Sequence, residues 1–175
     1  MQHHVRHLGT LLVLSLMSAA FHAAAQSPAA PVNPAAAMVP GPYGAPVSLA
    51  DAKKATAAAF AEAQKFNVPL VIAVTDIAGE LIYIERMDGA ISGGVHVAQQ
   101  KATTAAIYKR PTKVFEDAVA QGGIGLRFLR LDRVVPIEGG HPIVQNGRLV
   151  GAIGVSGGTG VQDGIAARAG ADAIK

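Results

Sequence analysis

The chain offers few side chains able to do chemistry, and they fall in short clusters. Beyond residue 25 there are two histidines, His96 and His141. Imidazole is the side chain best suited to proton transfer or metal ligation near neutral pH, so any such chemistry must use one or both. His96 lies in Gly94-Val95-His96-Val97-Ala98-Gln99-Gln100-Lys101, and helical spacing puts Gln99, Gln100 and Thr103 on its side. His141 follows Gly139-Gly140 at the entrance to a β-prone run. Arg86 in Arg86-Met87-Asp88-Gly89 precedes a turn that could bring it toward Lys101. Such a pair of cations suits a carboxylate or another small anion. The same residues could equally form a salt bridge, with Lys101 or Arg86 held by Asp76 or Asp88. Glu138 completes the polar set. No Ser-His-Asp arrangement with a local signature and no His-Glu-x-x-His motif is present, so a complete catalytic constellation is not legible.

Two further motifs need weighing. Gly151-Ala-Ile-Gly154-Val-Ser-Gly157-Gly158-Thr-Gly160 has the look of a phosphate-binding loop, because glycines let backbone amides approach an anion at a helix start. The glycines begin inside a strand, however, and the chain ends after one more helix, which leaves no room for a βαβ unit. Small residues that allow the last strand and helix to pack closely are the better reading. Arg127, Arg130 and Arg133 recur every three residues. They could bind carboxylates bidentately, but a charged row over Leu126 and Leu129 reads first as a solvated face.

The elements that must position these groups start well inside the chain. Residues 1–25 have Arg6 as their one formal cation, an apolar run from Leu8 through Phe21, and Ala23-Ala24-Ala25 before Gln26. This is the three-part pattern of a secretory signal peptide cleaved after Ala25. Its strongly apolar part, Leu11 to Met17, is short against the roughly 20 residues of a spanning helix. Residues 26–47 are rich in Pro and Ala with no charge, which reads as a disordered tether. Of 15 basic residues Arg6 leaves with the leader, so 14 face 12 acidic ones and the net charge falls from +3 to +2. That argues against nucleic acid as a partner. With no cysteine in the chain, disulfides, thiolate metal sites and thiol nucleophiles are excluded.

Residues 48–175 then form one domain. Ser48 to Asp51 has N-cap spacing, and Ala52, Ala55, Ala59, Ala63 and Phe66 recur at helical intervals. Leu70–Thr75 and Glu80–Arg86 read as strands joined in a hairpin by Asp76–Gly79. Helices are expected over Gly94–Tyr108 and Thr112–Ala120. Strands follow over Val134–Ile137, Pro142–Gln145 and Arg148–Val155, the last two joined by the type I′ pair Asn146-Gly147. A helix over Val161–Ile174 closes the chain. The order predicts an α+β fold, an antiparallel five-stranded sheet flanked by helices.

Five blocks in order carry a family resemblance: Val74–Gly79, Arg86–Ala90, Lys101–Ala105, Gly139–Ile143 and Gly147–Gly157, followed by Gln162-Asp163. Together they resemble the GlcG/HbpS-like family, related to the C-terminal domain of PduO-type proteins, over essentially all of residues 48–175. The resemblance implies a profilin-like fold, homo-oligomers and the binding of haem. In that light His96 is the first candidate for the axial iron ligand and His141 the second, with Lys101 and Arg86 as further cofactor-binding groups. The resulting expectation is an exported, periplasmic or secreted protein that binds haem or a related tetrapyrrole and contributes to haem degradation or to haem/redox sensing, with a non-enzymatic role ahead of turnover and haem degradation as the activity if there is one. Its rivals are a small organic-acid binder or enzyme using Arg86 and Lys101, and an oligomeric interaction module without catalysis.

Overall fold

Strand β1 (Val71–Thr75) is buried along its whole length, as a run of Val-Ile-Ala-Val should be when both faces of a strand are covered. The computed structural model describes residues 42–175. The expected signal peptide (1–25) and most of the tether (26–41) lie outside the described residues. β1 pairs antiparallel with β2 (Leu81–Arg86) on one side and with β4 (Arg148–Ser156) on the other; β3 (Gly140–Gln145) pairs antiparallel with β4. The sheet order is β2-β1-β4-β3.

Helices cover both faces. Helices α1 (Leu49–Ala63) and α4 (Gly160–Asp172) pack on one face; α2 (Gly94–Ile107) packs on the other, followed by α3 (Lys113–Ala120). Alternation along β1 divides the core accordingly. Ile72 and Val74 join the alanine stripe Ala52, Ala55, Ala59 and Ala63 of α1 together with Ala166 and Ala167 of α4. Val71 and Ala73 meet Ala98 of α2. On this second face the helix comes close to bare backbone. A Cβ on Gly154 would lie 2.0 Å from Ala98 O, and one on Gly140 would lie 2.4 Å from Lys101 O. Gly154 of β4 and Gly140 of β3 therefore seat α2, which carries both His96 and Lys101, whereas the sequence placed the final helix against the small residues of β4.

Local chemistry sets the boundaries. The Ser48 hydroxyl accepts the Asp51 N–H at 3.1 Å and caps α1. Thr159 and Gln162 form a capping box on α4. Asn146 and Gly147, at φ 51° and 73°, make the left-handed pair that a tight hairpin requires.

Two expectations are corrected. Among the described residues the sheet has four strands, because Val134–Ile137 pairs with none of them. The Val135 N–H is taken by the Thr104 hydroxyl at 3.0 Å, and the same hydroxyl lies 2.9 Å from Arg133 O; Pro136 has no N–H to offer a ladder. This stretch is thus tied to α2 by a side chain instead of joining the sheet. The end of the tether is also structured. Gly44 N–H donates to Leu149 O and Val47 N–H to Val150 O, both at 2.8 Å, and Val47 is buried in the core. β1 has ended at Thr75 opposite Ala152, so residues 43–47 use the stretch of β4 beyond it. Among the described residues no helix is long and apolar enough to cross a membrane.

Candidate functional site

The turn between β1 and β2 is built by Asp76, whose Oδ1 accepts the N–H groups of Ala78 and Glu80 at 2.8 and 2.9 Å. Gly79 at φ 80° completes it. Thr103 of α2 donates to Gly79 O at 2.8 Å. Arg133, itself left-handed at φ 57°, sends its guanidinium to Ala78 O (3.1 Å), Gly79 O (3.3 Å) and the Glu80 carboxylate (3.0 Å). Turn, helix and the segment after α3 are thereby held around a cleft of about 360 Å³. Its lining includes Glu80, His96, Gln99, Gln100, Thr103 and Arg133. His96 is exposed in the first turn of α2 and has no hydrogen-bond partner among the described residues.

A second cleft of about 260 Å³ opens where α3, β3 and α4 meet, lined by Lys113, Glu138, the Gly139-Gly140 backbone, His141, Gly164 and Arg168 among others. Burial lowers the pKa of His141 below its usual 6.5, against the carbonyl of Pro142, 3.2 Å from Nδ1; nearby Arg168 lowers it further and Asp172 raises it. Glu138 is raised above 4.5, first by burial and then by Glu116 and Asp117, while Lys113 and Lys101 pull it down.

The two histidines therefore line separate clefts. His96 stands with Gln99, Gln100 and Thr103, as helical spacing predicted. Lys101 faces neither cleft. Its ammonium is sealed in the interior, bonded to Val155 O at 2.9 Å and Asp163 Oδ2 at 2.8 Å. Arg86 is exposed at the end of β2 opposite Val71, without a hydrogen bond or ion pair among the described residues. The expected meeting of Arg86 and Lys101 does not occur, because Asp163, 62 residues away, has claimed the lysine. Sequence reasoning missed Arg133 and Glu80 as cleft residues. The tight turn Asp76–Gly79 was their one signal, and Arg133 was read as part of a solvated row. Among the described residues no three metal-ligating side chains converge, so a bare ion lacks a ligand set.

The family of haem-degrading HbpS-like proteins matches residues 47–172. The chain belongs to the HbpS-like family. Protein GlcG of Escherichia coli is 41% identical over 95 residues, which is 54% of this chain and 69% of GlcG. Among solved structures, HbpS superposes with a TM-score of 0.69 at 31% identity, covering 75% of this chain and 92% of HbpS. The PduOC complex with heme gives 0.67 at 32% identity, covering 74% and 96%. The HbpS-like domain thus accounts for the antiparallel sheet between helices.

Proposed function

We propose that this HbpS-like protein binds haem or a related tetrapyrrole at the cleft between α2 and the β1–β2 turn, with His96 as the iron ligand. One observation carries the reading: an imidazole with no hydrogen-bond partner among the described residues stands over a cleft whose other wall holds the Arg133 guanidinium. Haem needs an axial donor, a slot, and cations or amides for its propionates. His96 supplies the first and Arg133 the last. The volume of about 360 Å³ is near the lower end of the roughly 300–1,000 Å³ of ligand pockets, so the cleft takes part of a macrocycle and leaves the rest outside.

The family's description as haem-degrading and the heme complex of its PduOC relative support this ligand. When bound, haem supplies a redox-active iron; the chain's own part is to bind and orient. Glu80 and Arg133 set the polar end, Thr103 fixes the turn through Gly79 O, and Gln99 and Gln100 offer amides along the same face of α2. Carriage is the role we assign, in an exported protein whose leader is removed. Arg86 and Lys101 do not meet, which leaves the organic-acid reading without its binding pair.

Haemin titrated into the purified protein tests this. Saturable binding with a shifted Soret band is expected, together with a changed spectrum and weaker binding in H96A but not in H141A. A spectrum identical to free haemin, or loss confined to H141A, contradicts it. Bleaching with iron release on adding ascorbate or peroxide would replace carriage by degradation.

A further inference from the structure

The cleft where α3, β3 and α4 meet is lined by two opposite charges that do not pair with each other. Glu138, half-buried just before β3, lays its side chain over α4, so that a Cβ on Gly164 would fall 2.5 Å from Glu138 Oε1. Arg168 lines the same cleft one helical turn beyond Gly164, on the same face of α4. Among the described residues no hydrogen bond or ion pair takes the Glu138 carboxylate; its N–H alone is bonded, to Glu116.

The neighbouring charges are matched. Lys113, which also lines the cleft, is paired with Asp117 one turn along α3. Lys101, behind the Gly139 backbone, is held by Asp163. One oxygen of Glu116 is occupied by the Glu138 N–H. Arg168 reaches Asp172 only through Nε, at 3.8 Å, with both side chains 72% exposed. A contact so long and so exposed is weak, and the rest of the guanidinium can bind a carboxylate. His141 adds no competing charge, because burial favours its neutral form and its Nδ1 lies 3.2 Å from Pro142 O.

A ligand that carries both signs suits such a cleft better than one that carries either. A simple cation would satisfy Glu138 and be repelled by Arg168, and a simple carboxylate would meet the reverse. The volume of about 260 Å³ lies below the roughly 300–1,000 Å³ of drug-sized pockets, so the ligand is small. Pro111 and Val114 give it an apolar wall. We propose that this cleft binds a small α-amino acid as its zwitterion, with the ammonium on Glu138 beside the His141 ring, the carboxylate on Arg168, and the side chain against Pro111 and Val114. The inference is independent of haem, since His96 lines the other cleft.

Calorimetric titration of the purified protein with L-valine, isobutylamine and isovalerate tests it; the second lacks the carboxylate of L-valine and the third its ammonium. L-Valine should bind saturably at one site per chain, and each of the other two at least about tenfold more weakly, because each forfeits a charge-assisted contact. E138Q and R168Q, each shown folded by circular dichroism, should weaken L-valine by roughly tenfold or more. E138Q should also erase the preference for L-valine over isovalerate, and R168Q the preference over isobutylamine. Three results overturn the inference: no saturable binding of L-valine, isobutylamine or isovalerate binding as tightly as L-valine, or both variants binding L-valine like the wild type.

Discussion

Lys101 Nζ lies 2.8 Å from Asp163 Oδ2, with 2% and 3% of the two side chains exposed. Val155 O takes a second bond from the ammonium, and Asp163 Oδ1 accepts the Gly158 N–H at 2.9 Å. The pair pins α2 to the end of β4 and the start of α4, so the lysine that resembled a ligand contact is a structural tie.

Removing one partner leaves a buried charge uncompensated, which costs about 3–5 kcal/mol in comparable cases. K101M should therefore lower stability by an amount of that order in urea unfolding. A stable K101M that has lost only haemin affinity would return Lys101 to the binding site.

The pH dependence of stability has a defined sign. His141 is held below its unfolded value of 6.5, so the unfolded chain takes up the proton first. Its contribution is complete above that value and is lost as pH falls through 6.5 toward the folded pKa. H141Q should flatten this limb of the stability curve. Glu138 acts oppositely: raised above 4.5, it opposes folding once pH has risen through its folded pKa, so E138Q should be more stable than wild type at pH 7. An unchanged acid limb in H141Q would contradict the burial of that imidazole.

Gly154 is where α2 touches the sheet backbone. Because a Cβ there would lie 2.0 Å from Ala98 O and 2.5 Å from Ala102 N, G154A must push the helix outward, an overpacking that costs about 1–3 kcal/mol. Thermal unfolding measures it. A neutral G154A would mean that α2 sits further from β4 than described.

Glu80 occupies the Arg133 guanidinium from the solvent side, with 72% of its side chain exposed. A pair so exposed is weak, and an anionic arm of the ligand should displace the carboxylate. E80Q is expected to tighten haemin binding by roughly two- to fivefold, the scale of a surface ion pair, and R133Q to weaken it. Equal affinities in all three proteins would remove Arg133 from the site.

Much of this framework was legible in the residues. The Ser48 cap, the alanine stripe of α1, the Asn146-Gly147 turn and the apolar run of β1 each act through neighbours in sequence, and each forms where local chemistry placed it. Val134–Ile137 did not become a strand, because what holds it is a hydroxyl on α2, Thr104, about 30 residues earlier, and β-propensity carries no trace of such a bond. The same limit hid the site. His96 and its glutamines follow from helical spacing, whereas Arg133 and Glu80 meet across 53 residues and Lys101 and Asp163 across 62. Tertiary pairing decided which cation reached the cleft, and spacing alone could not.

The most direct measurement is an absorbance titration of haemin into wild type, H96A and H141A under one set of conditions. A saturable Soret shift in wild type and H141A that is weakened and spectrally altered in H96A is the predicted result. Free-haemin spectra throughout, or an H96A curve that overlays the wild type, would contradict the assignment of His96 and its cleft.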